Sequence, residues 1–302
     1  MGWARLFAFA AFVSLSSAAA AQSNYTLLVF GDSGTGEEDQ KRVAAAMAQA
    51  CQQSSCDAAI VVGDLIYPSG VNSVDDALFT TNFEEPYAVV GPFPFWMSLG
   101  NHDHKGSIEA QVAYGRSGVS QRWKMPSAYY AVEGLPDWLH IYALDTEVFS
   151  RKKKSPDPVQ AEQARAALCG KSGWRLLVGH HPVYSNGVHG SNANVGRYLD
   201  AVIRDCRVQA FFAGHDHHQE HISAPSFEQF IQGAAAKLRR VKQVEPADGT
   251  TQRFARSTLG FAIATFTERT MDVRYFDATT GSATQIYQCR ATVDQPACVA
   301  QQ

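Results

Sequence analysis

The sequence predicts an α/β fold, because short apolar runs alternate with amphipathic stretches over most of the chain. The apolar runs are rich in β-branched and aromatic residues, which is typical of buried strands, and they cover residues 25–30, 58–62, 93–99, 139–144, 175–178 and 208–213. The stretches 38–50, 159–168 and 195–205 carry apolar residues at the three- and four-residue spacing of helices. Strands and helices in alternation indicate βαβ units, whose sheets are covered by helices.

The pattern changes after Phe227, where strands follow one another without helices. Four further strands are predicted at 228–233, 260–267, 271–277 and 283–288. The stretch 279–282, Thr-Thr-Gly-Ser, has the composition of a turn between the last two. Because the chain shows neither an internal repeat nor a long linker, we expect a single domain over residues 22–302.

Composition and charge narrow the functional classes. The 302 residues are 45% hydrophobic and 18% charged, as in an ordinary globular protein. The formal net charge of -3 argues against nucleic acid held by bulk electrostatics, which requires a basic surface. A small anionic substrate, bound by local positive charge, remains compatible with this balance.

The N-terminus has the three parts of a secretory signal peptide. Arg5 supplies the positive charge, residues 6–15 are apolar, and residues 16–21 are small. We therefore expect residues 1–21 to be removed near Ala21 and the protein to be secreted or periplasmic, without a stable membrane anchor. An uncleaved anchor is the alternative, although the apolar run is short for a bilayer span.

The cysteines agree with export. There are six, and an even number in an exported protein indicates disulfides. Proximity in sequence favours the pairs Cys51–Cys56 and Cys289–Cys298, which leaves Cys169 for Cys206. Fifteen pairings of six cysteines are possible, and none of the spacings is that of a zinc–thiolate site.

Metal-binding residue types follow five of the apolar runs, each after a glycine. The five endings are Gly31-Asp32, Gly63-Asp64, Gly100-Asn101-His102-Asp103, Gly179-His180 and Gly214-His215-Asp216-His217. In open α/β sheets the ligand lies beyond the carboxyl ends of the strands, where such loops converge. One Gly-Asp or Gly-His pair is usually only a turn, but five at equivalent strand ends predict a shared site.

The ligand types indicate which metals would bind. Carboxylates, an amide and imidazoles without thiolates favour a hydrolytic centre of harder ions over structural zinc. Two ions about 4 Å apart form the usual clamp for phosphoryl transfer. Tyr67 lies three residues after Asp64, and a phenol that titrates near pH 10 becomes a phenolate ligand only beside a strong Lewis acid such as ferric iron. The alternative is a loop tyrosine that packs beneath the site.

Five sequence blocks together resemble the signature of purple acid phosphatases. They are GDSG (31–34), GDLIY (63–67), GNHDH (100–104), VGHHPVYS (178–185) and AGHDHH (213–218). The likeness extends over residues 25–288 and is strongest to the short, tartrate-resistant, mammalian-type branch of the calcineurin-like metallophosphoesterases. It implies an αββα sandwich of two mixed β-sheets flanked by helices, which is the metallophosphoesterase fold.

The resemblance also implies a role for each motif residue. Asp32, Tyr67 and His217 would bind Fe(III), and Asp64 would bridge it to a divalent Fe, Zn or Mn ion. Asn101, His180 and His215 would bind that divalent ion. The implied reaction is acid hydrolysis of phosphate monoesters by a metal-bound hydroxide at this binuclear centre. Small phosphorylated molecules, including nucleotides or phosphoproteins, are the substrates to be expected.

Three further residues are candidates for catalysis. His102 and His189 match histidines with substrate-side roles in the family, and either could protonate the leaving alkoxide. Asp103 is expected to orient His102.

Two other functions remain open from the sequence. A phosphodiesterase or nucleotidase of the same fold would share the Asp, Asn and His motifs, but Tyr67 argues against it. An exported protein that only binds metal or phosphate would have no use for His102.

The remaining histidines and one basic run have no firm assignment. His181 and His218 each follow a predicted ligand, so their side chains are expected to point away from the metals. His140 is predicted on a strand, and His104 and His221 are undecided. The basic run 151–154 either attracts phosphate or is a solvated loop, and the stretch 147–158 is shorter than the loop that is cleaved in the mammalian enzymes.

Overall fold

A computed structural model describes residues 24–151, 158–242, 247 and 249–301. The predicted signal peptide and most of the basic run, residues 152–154, lie outside the described residues. No helix among the described residues combines the length and the apolar character needed to cross a bilayer.

The described residues form fifteen strands in chain order. Their bounds are β1 Tyr25–Phe30, β2 Ala58–Val62, β3 Phe95–Ser98, β4 Trp123–Lys124, β5 Tyr130–Ala131, β6 Leu139–Ala143, β7 Trp174–Val178, β8 Ala210–Ala213, β9 Gln219–Ser223, β10 Glu228–Gln232, β11 Thr251–Arg256, β12 Gly260–Phe266, β13 Thr270–Asp277, β14 Thr284–Thr292 and β15 Gln295–Ala300.

Helices connect many of these strands. The α-helices are α1 Glu38–Ser54, α2 Glu85–Tyr87, α3 Ile108–Ser117, α4 Glu147–Ser150, α5 Pro158–Leu168 and α6 Ala193–Cys206. A π-helical turn, Thr80–Glu84, precedes α2, and a 3₁₀ turn, Asp103–Lys105, follows β3.

The strands form two mixed sheets, as the resemblance implied. The first has eight strands in the order β15-β14-β13-β12-β1-β2-β3-β4, and the second has seven in the order β11-β9-β10-β8-β7-β6-β5. The centre of each sheet is parallel, because β1 pairs with β2 and β7 pairs with both β6 and β8 in parallel. Antiparallel strands, such as β12 beside β1 and β9 beside β10, extend both sheets.

The two-residue period of the strands divides their side chains between two cores. Leu176 and Phe212 belong to the large cluster that also holds Phe30, whereas Leu177 and Phe211 belong to a smaller cluster with α6. The helix contributes to that smaller cluster the apolar residues that repeat along one face: Val195, Leu199, Val202, Ile203 and Cys206. The resulting order of layers is helix, sheet, sheet and helix, so the predicted fold class is confirmed.

Most predicted elements are present, with shifted ends. The strand predicted at 93–99 is Phe95–Ser98, which begins after Pro94, a residue without an N–H for the ladder. The last predicted strand, 283–288, extends to Thr292. The short helices α2 and α4, helix α3, and strands β4, β5, β9, β11 and β15 were not predicted. Strand β9 was missed because it has no apolar pattern. Its polar side chains can be buried because they form hydrogen bonds with other side chains, as His221 Nε2 does with Glu228 at 2.6 Å.

All three expected disulfides are present. Cys51–Cys56 closes the end of α1, Cys289–Cys298 joins β14 to β15, and Cys169–Cys206 joins the segment after α5 to the end of α6. The last of these holds together two helices that cover the second sheet.

We predict that the Cys169–Cys206 disulfide stabilises the fold more than Cys51–Cys56. The sequence separations are 37 and 5 residues, and loop-closure entropy gives stabilisations of about 4 and about 2 kcal/mol. Urea unfolding of Cys169→Ala/Cys206→Ala and of Cys51→Ala/Cys56→Ala should therefore show the larger loss of unfolding free energy in the first variant. Equal losses would contradict the entropic explanation.

Candidate metal centre

The predicted ligands converge at one end of the sandwich, on the carboxyl ends of strands from both sheets. Asp32, Asp64 and Asn101 follow β1, β2 and β3 of the first sheet. His180 follows β7 of the second sheet, and His215 and His217 follow β8. Direct contacts join the two groups, since the His215 amide donates to Asp32 Oδ2 at 2.9 Å.

Three of these ligands occupy strained backbone conformations. Asp32, Asp64 and His215 have φ values of 56°, 50° and 69°, in the left-handed region that residues other than glycine seldom adopt. Such a conformation costs on the order of 1–3 kcal/mol and typically marks functional sites. Here it turns each side chain from the strand end toward the common centre.

Two glycines allow the loops to approach one another. A Cβ on Gly63, whose φ is +89°, would lie 2.5 Å from the His180 ring, and a Cβ on Gly100 would lie 2.3 Å from Asp64 Oδ1. No side chain fits at either position. The glycines of the motifs therefore make room for the ligands of neighbouring strands.

One group of donor atoms surrounds the Tyr67 hydroxyl. Its oxygen lies 3.2 Å from Asp32 Oδ1, 2.8 Å from Asp64 Oδ2 and 3.4 Å from His217 Nε2. All four residues are more than nine-tenths buried. They include the three residues that the resemblance assigns to iron and the carboxylate that it assigns as the bridge.

A second group surrounds His180 Nε2. Asn101 Oδ1 lies 3.2 Å from this nitrogen, His215 Nδ1 also 3.2 Å, and Asp64 Oδ1 3.5 Å. The other ring nitrogen, Nδ1, faces the Val62 carbonyl at 3.0 Å. Because that carbonyl can only accept, the proton resides on Nδ1 and Nε2 is free to bind a cation.

Asp64 connects the two groups. Its Oδ2 faces Tyr67, and its Oδ1 faces His180 while accepting a hydrogen bond from the His102 amide at 2.8 Å. A carboxylate in this position has one oxygen for each of two cations. This is the arrangement expected for a bridging ligand.

The donor set fits metal cations and is poorly satisfied without them. Tyr67 has a single hydroxyl proton, yet two carboxylates and an imidazole nitrogen lie within 3.4 Å of its oxygen. Burial, then the Asp32 and Asp64 carboxylates, raises the pKa of the Tyr67 phenol far above its usual value. A phenolate can therefore form here only beside a strongly positive ion.

The imidazoles also suit metal binding. Burial, followed by the neighbouring His180 and His181, lowers the pKa of His215 far below its usual value, so the ring is neutral and can act as a ligand. Burial also disfavours a charge on His180, but the nearby Asp64 and Asp32 outweigh it and raise the pKa of this residue. A cation bound by the two carboxylates would remove this influence.

His102 lies over the site with a defined orientation. Its Nδ1 lies 2.6 Å from the Pro68 carbonyl and 3.1 Å from the Lys105 ammonium, and its Nε2 faces inward, 3.9 Å from Asp64 Oδ2. The ring packs on that of Tyr67 at 4.4 Å between centroids, and 27% of the side chain is exposed. A molecule bound at the centre could therefore reach Nε2.

Asp103 has a different position from the one expected. Its carboxylate accepts hydrogen bonds from the backbone amides of Leu65 at 2.9 Å and of Gly100 at 2.7 Å, while the His102 ring pairs with Pro68. Successive side chains of a 3₁₀ turn point about 120° apart, so the Asp103 carboxylate does not orient the His102 ring by a hydrogen bond as expected. Asp103 instead ties the Asp64 loop to the Asn101 loop, and burial, then Asp64, raises its pKa to about 7.

His189 lies at the opposite edge of the site. Its ring is 4.3 Å from that of His215 between centroids. Its loop is held by the buried Asp216 carboxylate, which accepts from the His189 amide at 2.8 Å and from the Gly190 amide at 3.1 Å. Burial lowers the pKa of His189, and Asp216, which acts in the opposite direction, does not outweigh it.

The remaining histidines are held by other partners. His181 Nδ1 is 2.9 Å from Thr146 Oγ1, His104 Nε2 2.8 Å from Asp145 and His218 Nε2 2.9 Å from Glu220. His218 thus has a partner away from the predicted ligands, as expected. His181 does not point away: its ring centroid lies 4.4 Å from that of His215, and it forms a group of potential metal ligands with His180 and His215. His140 Nε2 bonds the Ser172 carbonyl at 3.1 Å, and Arg151 of the basic run pairs with Glu147.

Three contacts that shape the site could not be predicted from the sequence. The backbone carbonyls of Val62 and Pro68 fix the rings of His180 and His102, and the Lys237 ammonium lies 4.5 Å from the Tyr67 ring centroid. Carbonyl groups are common to every residue, and Lys237 lies far from the motifs. No local pattern could therefore have revealed them.

Comparison with known sequences relates the chain to phosphoesterases. Residues 25–219, which hold all the predicted ligands, match the calcineurin-like phosphoesterase family. Tartrate-resistant acid phosphatase type 5 of Oryctolagus cuniculus is 28% identical over 243 residues, which are 72% of this chain and 74% of that protein. Purple acid phosphatase 3 of Arabidopsis thaliana is 26% identical over 279 residues, which are 83% of this chain and 74% of the plant protein.

Solved structures share the fold at lower identity. GAP50, the anchor in the inner membrane complex of Plasmodium, has a TM-score of 0.77 and 18% identity, with 89% of each chain covered. Purple acid phosphatase PPD1 of yellow lupin has a TM-score of 0.65 and 16% identity over 90% of this chain and 54% of its own. A dimetal phosphatase from Danio rerio has a TM-score of 0.58 and 14% identity over 87% of this chain and 98% of its own.

The resemblance drawn from the motifs is confirmed by these findings. The family match alone spans more than half of the 302 residues. The chain is a hydrolase that belongs to the calcineurin-like phosphoesterase family.

Proposed function

We propose that this protein is an exported acid phosphatase of the purple type, which hydrolyses phosphate monoesters at an Fe(III)–M(II) centre. Asp32, Tyr67 and His217 would hold Fe(III), and Asp64 would bridge it to a divalent Fe, Zn or Mn ion. Asn101, His180 and His215 would hold the divalent ion. The names of the curated relatives and the three disulfides, which suit an oxidising compartment, support the proposal.

The observation that carries the proposal is the position of Tyr67. Its hydroxyl lies within 3.4 Å of both carboxylates and of His217, in a site where burial disfavours the phenolate. Two divalent ions would stabilise a phenolate less than a trivalent ion does, because their charge is lower. A trivalent ion gives the phenol a role as its ligand.

When bound, the two ions supply an activated water for attack on phosphorus and neutralise charge on the phosphate oxygens. The side chains of the protein position the reacting groups and transfer the proton. Strained backbone and neighbouring amides hold Asp32 and Asp64 in place before substrate arrives, so little reorganisation accompanies the reaction.

Proton transfer to the leaving group falls to a histidine in this scheme. The contact with the Pro68 carbonyl orients the His102 ring so that Nε2 faces the site, where a proton on this nitrogen would lie next to the leaving group. His189, on the far side of the centre, is the second candidate, and its backbone is fixed by Asp216. Asp103 contributes by holding the loops of Asp64 and Asn101 together.

We predict that the iron-loaded protein is pink or violet and that Tyr67→Phe removes the colour. The colour comes from electron transfer between tyrosinate and Fe(III) on absorption of light, and phenylalanine has no oxygen to bind iron. The measurement is a visible spectrum with metal analysis. Tyr129→Phe, at a tyrosine packed against the smaller core, is the matched control and should keep its colour. A colourless wild-type protein with full iron would refute the role of Tyr67.

We predict that His102→Ala lowers kcat for an aryl phosphate by about 10²–10⁴, the usual effect of losing a general acid. Its metal content should stay near that of the wild type, because His102 is placed over the donor groups and not among them. Steady-state kinetics with metal analysis test this. His140→Ala, at a histidine bonded to the Ser172 carbonyl, should be as active as the wild type, and loss of metal from His102→Ala would assign His102 a ligand role.

We predict that kcat is greatest in acid and falls as the pH rises. An imidazole donates a proton only while it is protonated, which requires a pH near or below about 6.5. Burial lowers the pKa of His189 further, so a contribution from this residue would move the descending limb to still lower pH. A pH–rate profile for phenyl phosphate tests this, and an optimum above pH 8 would favour the phosphodiesterase or nucleotidase alternative.

A further inference from the structure

The segment that follows β10 brings a lysine to the predicted iron ligand Tyr67. Residues 233–236, Gly-Ala-Ala-Ala, are buried, and their small side chains let the chain run beneath the site. A Cβ on Gly233 would lie 2.8 Å from Asp32 Oδ2, so the segment passes directly beside the donor groups. Lys237 follows this run, and its side chain extends to the Tyr67 ring.

The backbone is fixed on both sides of Lys237. Two residues before it, the Ala235 amide donates to the Gly31 carbonyl at 3.3 Å, and two residues after it the Arg239 amide donates to the His217 carbonyl at 2.8 Å. Both acceptors belong to loops that carry iron ligands. The Cα of Lys237 is therefore held relative to the metal site, and its side chain has a short and defined path to Tyr67.

The ammonium of Lys237 faces the Tyr67 ring. Its Nζ lies 4.5 Å from the ring centroid, within the range of a cation–π contact. Among the described residues, Lys237 takes part in no ion pair. Its charge is thus directed at the ring, and no carboxylate of the described residues pairs with it.

We propose that Lys237 tunes the Tyr67 phenolate electrostatically and so sets how much electron density this ligand gives to iron. The inference rests on the proposed function, because it requires Tyr67 to bind Fe(III). A positive charge over a phenolate ring stabilises the ring electrons and weakens donation to the metal. The iron then remains more electron-poor, and therefore a stronger Lewis acid, than with an unmodified phenolate.

A second cation near the site serves as an internal comparison. The Lys105 ammonium lies 3.1 Å from His102 Nδ1, on the side of the His102 ring, and not over Tyr67. It carries the same charge close to the same centre. If Lys237 acts through the Tyr67 ring, the two lysines should differ in their effect on the tyrosinate–iron absorption.

The test is the visible spectrum of the iron-loaded full chain with Lys237→Met, Lys237→Arg and Lys105→Met, at equal iron content. Absorption moves an electron from the phenolate to iron, and the nearby ammonium raises the energy of this step. Lys237→Met should therefore shift the band to longer wavelength. Lys237→Arg should keep it close to the wild-type position, and Lys105→Met should move it less than Lys237→Met.

The possible results separate this inference from the proposed function. A wild-type protein without the band would refute the proposed function itself. A wild-type band that is unchanged in Lys237→Met, or displaced equally in Lys105→Met, would overturn the role of Lys237 and leave the iron–tyrosine assignment intact. Loss of iron from Lys237→Met would also overturn it, because Lys237 would then support binding and not tuning.

Discussion

The structure of this site depends on the burial of two carboxylates next to each other and next to a phenol. Two unit charges about 4 Å apart repel by about 4 kcal/mol at the effective dielectric of a protein. Asp32 and Asp64 have almost no solvent exposure to relieve that repulsion. The fold supplies backbone amides to one oxygen of each and leaves the other facing Tyr67. Bound cations would offset this repulsion. The conformation of the strand ends and the ability to bind metal therefore depend on each other.

The predicted ligands are divided between the two sheets of the sandwich. The carboxylates, the amide and the phenol come from the first sheet and the imidazoles from the second. The centre therefore exists only when both sheets are formed and packed through their common core. This explains why ligands far apart in sequence, such as Asp32 and His217, meet within 3.3 Å.

The fold and the donor set could be read from the sequence to a large extent. Strands such as β1 and β2 are continuous β-branched and apolar runs, and each predicted ligand follows such a run. The polar strand β9 could not be read, because its buried Glu220 and His221 are balanced by partners that are distant in sequence or that the pattern does not identify. The error at Asp103 has a similar origin. Sequence adjacency to His102 fixes where its backbone lies but not the direction of its side chain, which the 3₁₀ turn decides. The positions of Lys237 and of the Val62 and Pro68 carbonyls follow from tertiary packing alone.

The short stretch after β8, residues 215–217, connects several parts of the site. His215 contacts His180 in the second group of donor atoms, and His217 contacts Asp32 in the first. Between them, the Asp216 carboxylate holds the backbone of His189. Residues 215–217 therefore connect both groups of donor atoms with the loop of a candidate proton donor. Any displacement of this stretch is therefore shared by both groups of donor atoms and by the candidate proton donor, so these parts of the site keep their spacing as one unit.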